Sequence, residues 1–122
     1  MIQGIVNAKR QPIVSLTIRG DAGQEVTIEA LLDTGYNGAL MLPLDQVEAL
    51  GLRFIRTDTT TVADGRRIPV PVYAARVVWD GIERMTSVVA AGTQPLLGMS
   101  LTLGHRVVIE MVDGGIVSIE RL

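Results

Sequence analysis

Asp33-Thr34-Gly35 is the stretch of this chain whose residue types could do chemistry: a carboxylate, a hydroxyl and a glycine directly after the apolar run Ala30-Leu31-Leu32. A carboxylate at the end of a hydrophobic strand is costly to hold near a core, because its charged form gives up water there. Two readings are open for it. Asp33 is either a general acid or base, or part of an ordinary turn, since Asp-x-Gly is also common turn chemistry. The tripeptide occurs once in 122 residues. The other carboxylates, Glu29, Asp45, Glu48, Asp58, Asp64, Asp80, Glu83, Glu110, Asp113 and Glu120, lack such a setting and are expected at the surface. There is no cysteine, hence no thiolate nucleophile and no disulfide framework. The single His105 cannot build a metal site alone, and its place after a helix end suggests a solvated or capping residue.

The elements that must position Asp33 are mostly strands. Alternation and branched residues mark Ile2–Val6, Ile13–Arg19 and Val26–Leu32 as an opening meander, with Gly20-Asp21-Ala22-Gly23 as the turn between the last two. Pro43 to Gly51 predicts one short helix: proline at its start, early acids, Leu44, Val47 and Leu50 at three-residue spacing, and a closing glycine. Thr57–Val62 and Ile68–Trp79 flank Ala63-Asp64-Gly65-Arg66, where Asp-Gly marks a hairpin turn. Trp79-Asp80-Gly81-Ile82 marks another, with Met85–Ala91 returning from it and Trp79 assigned to packing. Pro95-Leu96-Leu97-Gly98 leads into a second short helical stretch, Met99–Leu103, closed by Gly104. Arg106–Met111 and Ile116–Glu120 form a last hairpin across Asp113-Gly114-Gly115. One mostly-β domain spanning residues 1–122 follows.

Composition narrows the function classes. Hydrophobic residues make up 48% of the chain but aromatics only 3%, so the core must be built from branched aliphatics, alanine and methionine. Eleven basic and thirteen acidic residues are scattered without a basic stripe, which argues against nucleic acid and against a membrane surface as partner. Met1–Asn7 lacks the basic start and unbroken apolar core of a leader peptide, and the uncharged residues after Arg84 are too rich in glycine, proline and hydroxyls for a good transmembrane helix. A cytoplasmic location is the expectation.

Taken in order, Leu31-Leu32-Asp33-Thr34-Gly35, the Asp64-Gly65 hairpin, and Leu96-Leu97-Gly98 before a short helix and closing strand resemble the retropepsin-like (clan AA) aspartic proteases, across nearly the whole chain. Asp33-Thr34-Gly35-Tyr36-Asn37-Gly38 with Leu42-Pro43 is similar to a bacterial single-domain subgroup with an aromatic after the glycine, where better-known members carry Ala or Ser. The resemblance implies a closed acid-protease β-barrel with one or two short helices and a homodimer in which Asp33 of each chain meets at the two-fold axis. It implies peptide-bond hydrolysis by a water held between two carboxylates that share one proton, with no metal or cofactor. Asp33 is then catalytic, and Thr34, Gly35, Leu97 and Gly98 support the active-site loop. Tyr36, Asn37, Asp64 and Gly65 meet an extended peptide, the last two on a hairpin closing over it. For Tyr36 a core position is the equal alternative. The N-terminal strand and Ile116–Glu120 are the segments that would join in a dimer. Fold does not fix function, so a catalytically inactive dimerisation or peptide-binding module of the same fold stands as the other reading.

Overall fold

The computed structural model describes all 122 residues. Ten strands and two short helices follow in the order β1 (Ile2–Val6), β2 (Pro12–Arg19), β3 (Glu25–Leu32), β4 (Leu40–Leu42), α1 (Leu44–Ala49), β5 (Arg53–Thr61), β6 (Arg67–Trp79), β7 (Ile82–Ala90), β8 (Leu96–Leu97), α2 (Met99–Thr102), β9 (His105–Ile109) and β10 (Ile116–Arg121). All strands belong to one sheet ordered β5-β6-β7-β4-β8-β3-β2-β1-β10-β9. A further pairing of β2 with β6 rolls the central strands into a closed barrel of β2, β3, β8, β4, β7 and β6. The mostly-β domain expected from the strand pattern is therefore present, closed as a barrel and with the two expected helices.

Barrel closure explains the length of β6. Its 13 residues pair with β5 through Ala74 and with β2 from Arg76 onward, along the same edge. Where the partner changes, the burial pattern slips phase and both Ala74 and Ala75 are buried, two small side chains that let the strand bend without crowding. At the seam Arg19 sits directly opposite Arg76, a repulsive pair on its own. Glu83 lies between them, 2.9 Å from Arg19 and 3.5 Å from Arg76, and Glu25 and Asp21 extend the network. Hydrogen bonds to Glu25 and Glu83 raise the Arg19 guanidinium above its ordinary value. These groups are exposed, so they offset a local repulsion more than they stabilise the fold.

The core is a single cluster of 22 buried residues in which Trp79 is the only aromatic, as the composition required. Trp79 is 1% exposed and donates its indole N–H to His105 Nε2 at 3.2 Å. His105 Nδ1 lies 3.1 Å from the Leu103 carbonyl. The ring thus accepts at Nε2 and donates at Nδ1, and it satisfies a buried indole at the start of β9. The Asp80-Gly81 turn between β6 and β7 has positive φ at both residues, 52° and 79°, as a two-residue primed hairpin turn requires.

Two strands arise that alternation along the sequence does not mark, β4 with three residues and β8 with two. β8 runs parallel to β3, β4 runs parallel to β7, and the two pair antiparallel with each other. They complete the barrel wall beside Asp33.

Candidate functional site

β3 carries Asp33 to the barrel wall. Leu31 N–H donates to Pro95 O at 2.9 Å, and Asp33 N–H donates to Leu97 O at 3.0 Å, so the parallel ladder runs past the end of the strand. Asp33 therefore keeps the strand's alternation and presents its carboxylate on the same side as Leu31, while Leu32 points into the core. Strand register sorts the neighbours into two rows. Leu32, Leu97, Leu40 and Val88 lie side by side facing inward, each 3% exposed or less. Leu31, Leu96, Met41 and Val89 form the corresponding outer row, half-buried, and Ile13 and Ile5 extend it across β2 and β1. The carboxylate thus stands at the border of an apolar strip on the outer barrel surface.

The loop after Asp33 turns back at once. Tyr36 N–H donates to Asp33 O at 3.1 Å, and Gly35 N–H donates to Asp33 Oδ1 at 2.9 Å. The second contact fixes one carboxylate oxygen and leaves Oδ2 with no partner in the chain. Gly35 has space only for a tight fit, since a Cβ there would lie 3.2 Å from Asp33 Oδ1. Thr34 is exposed at the tip, and its hydroxyl makes no hydrogen bond within the chain.

A clasp holds the loop from the other side. Gly98 N–H donates to Ala39 O at 2.8 Å, Met99 N–H to Tyr36 O at 2.8 Å, and Ser100 N–H to Gly38 O at 3.1 Å. Leu96-Leu97-Gly98 thus braces the Asp33 loop through backbone bonds, with Leu97 sealing the core beneath. Gly98 is required by space rather than by backbone angle, because a Cβ there would collide with the Gly38 carbonyl and the Tyr36 ring. A Cβ on Gly38 would collide with the same ring. Tyr36 accordingly wedges between two glycines, half-buried, with its hydroxyl donating to Leu40 O at 3.3 Å. Burial raises the Tyr36 phenol above its ordinary value, so it stays protonated as a donor. Asn37 beside it is exposed.

Asp64 and Gly65 lie elsewhere, at the tip of the β5–β6 hairpin. Val62 N–H donates to Arg66 O at 2.9 Å and Gly65 N–H to Val62 O at 2.9 Å, with Gly65 at φ 87°. Asp64 locks this turn, accepting from the Arg66 backbone N–H at 3.0 Å and from its guanidinium at 2.6 Å. Those bonds hold its carboxyl below the usual carboxylate range. The hairpin tip and the Asp33 loop share no hydrogen bond or ion pair.

Gly38, which the sequence marks only as part of a longer run without a role, and Ala39 and Met41, which it does not mark, also belong to the site. The Tyr-Asn-Gly run after Asp-Thr-Gly held the signal for the first, a glycine two residues beyond an aromatic that needs room. No group of three or more histidines or carboxylates is placed to hold a metal ion, and no helix is long and apolar enough to cross a membrane. The largest concavity, about 510 Å³, lies over Ile5, Ile13, Glu29 and Gln94, at the β1–β2 end of the outer apolar strip rather than on Asp33. Comparison with protein-family models, with curated proteins and with solved structures returns no match.

Proposed function

We propose that this chain is an aspartic endopeptidase whose active form is a homodimer, each copy supplying one Asp33. The observation that carries the reading is the carboxylate itself. It ends a strand braced by Leu97-Gly98, has one oxygen fixed by Gly35 N–H and the other free, and borders a strip of half-buried apolar side chains. Only one such carboxylate exists per chain, and water activation between an acid and a base needs two. A second copy related by a two-fold axis supplies it through a self-complementary interface. Two carboxylates about 3 Å apart retain one proton between them. One then takes a proton from the attacking water while the other protonates the scissile carbonyl, each role worth roughly 10²–10⁴-fold in rate.

The remaining features fit this chemistry. Thr34, with its hydroxyl unsatisfied within the chain, is the natural brace across the axis. The outer row of Leu31, Leu96 and Met41 suits apolar side chains of an extended peptide, whose backbone would pair with exposed strand edges. The β5–β6 hairpin would close over it. The competing reading, a noncatalytic peptide-binding or dimerisation module, draws on the tip of that hairpin, which has one glycine and a turn locked by Asp64.

The test is cleavage of a diverse peptide library from acidic to neutral pH by wild type and Asp33→Asn, with mass measured in solution. Cuts made by the wild-type dimer and lost in the variant support the enzyme. A folded dimer with no cuts moves the reading to the module, and normal cleavage by Asp33→Asn would sink the shared-aspartate mechanism.

A further inference from the structure

We infer that the free edge of β5 pairs with β5 of a second copy, antiparallel, about a two-fold axis through Thr57. The distal part of the β5–β6 hairpin is an arm of only two strands, because β7 reaches β6 no further than Val72. Such an arm has two free edges, and the chain treats them differently. Thr57 lies opposite Pro71 and Thr59 opposite Pro69. Proline has no N–H, so neither pair can exchange hydrogen bonds. The ladder runs instead through Asp58 and Val70, and the backbone groups of Thr57 and Thr59 point away from β6. The same alternation turns Pro69 and Pro71 toward the other free edge, which therefore offers no donors there. Proline is a common block on exposed edges. The β5 edge has no proline and no lysine, and Arg56, Thr57, Thr59, Thr60 and Thr61 are all exposed.

Charge selects both the occupant and the register. Pairing through the outward groups requires an axis at a residue rather than between two, and Thr57, Asp58 and Thr59 are the central positions; an axis at Arg56 would set two arginines face to face. An axis at Asp58 sets two aspartates face to face, and one at Thr59 sets Asp58 against Thr60. An axis at Thr57 places Arg56 of each copy opposite Asp58 of the other, twice by symmetry. Opposite charges directly across an antiparallel pair are favourable and like charges are not. Arg56 and Asp58 already lie 2.9 Å apart within one chain, so the pairing closes a box of four alternating charges. The regular pairing ends at exposed Ile55, the residue of the bulge between Phe54 and Arg56.

This interface is separate from the one at Asp33 and does not depend on it. Where both two-fold contacts form, the chain assembles beyond a dimer. Sedimentation of wild type, Thr57→Pro, Asp58→Arg and Arg56→Asp/Asp58→Arg over a range of concentrations tests it. Thr57→Pro removes an outward N–H and no ladder bond, so the particle mass should halve. Asp58→Arg should weaken association roughly tenfold or more, and the double charge swap should restore it. The charge series holds the test if proline unfolds the arm. Equal masses for wild type and Thr57→Pro, or a double swap that stays dissociated, would overturn the inference. A wild type that cleaves nothing yet halves in mass with Thr57→Pro breaks the protease reading and leaves this one standing.

Discussion

The Asp33 loop and the β5–β6 hairpin tip are both short turns carrying an aspartate and a glycine, yet they are held in opposite ways. Around Asp33 the local bonds from Gly35 and Tyr36 are backed by long-range ones: Leu97, Gly98, Met99 and Ser100 reach back some sixty residues to brace the loop, over a layer of buried leucines. Around Asp64 every bond is local, between residues no more than four apart, and the adjoining strand ends, Thr59–Thr61 and Arg67–Pro69, are exposed. Regions with few buried contacts open at low free-energy cost, whereas core elements open only with the whole fold. One chain therefore builds a rigid carboxylate and a separately movable arm, and what distinguishes them is tertiary packing rather than turn residues.

The most severe break of that contrast is chemical. Asp33→Asn should reduce peptide cleavage by roughly 10²–10⁴-fold for each proton-transfer role lost. Its melting temperature should hardly move, since an amide oxygen can still accept from Gly35 N–H. Next comes the clasp. Gly98→Ala forces a methyl into the Gly38 carbonyl and the Tyr36 ring, and should cost about 3 kcal/mol in chemical denaturation, with cleavage falling as the loop loosens. Tyr36→Phe sharpens the assignment of that ring as a wedge. It keeps the packing and loses one hydrogen bond to Leu40 O, so about 1 kcal/mol is expected, against about 3 kcal/mol or more for Tyr36→Ala.

At the hairpin the expected effects are small and local. Asp64→Ala should leave the melting temperature essentially unchanged while speeding hydrogen exchange at Val62 and Gly65. The same loosening should follow acidification. The folded-state carboxyl titrates below its unfolded value, so its contribution is complete above the ordinary carboxylate range near pH ~4 and is lost as pH falls through the lowered value. Faster exchange at the tip below that range, absent in Asp64→Ala, would confirm the local lock. Acid-induced loosening of the tip that persists unchanged in Asp64→Ala would contradict the local lock.

Much of this was legible in the chain. Period-two alternation marks the long strands, Asp-Gly and Gly-Gly mark their turns, and Pro43 with Gly51 brackets α1, whose six residues begin one position after the proline. Strand ends moved by a few residues, most at β5, which starts at Arg53 because it pairs with β6 up to Ala74. Asp33 stood out by composition alone, as a carboxylate where an apolar run stops. Tyr36 did not resolve, because an aromatic next to glycine has the same local signature in a cleft as in a wedge. Only the approach of Gly38 and Gly98 separates the two.

Residue order alone settles local matters: which segments alternate, where the backbone must turn, that the core is aliphatic, and that one aspartate sits at a strand end. Everything that depends on partners distant in the chain is set by the assembled sheet. β4 and β8 are too short to carry a period and exist only because β3 and β7 supply their hydrogen bonds. Closure of the barrel through β2 and β6 likewise follows from register between segments sixty residues apart. Alternation says that a residue faces one side or the other; only pairing says which side becomes the core, and so on which side Asp33 stands.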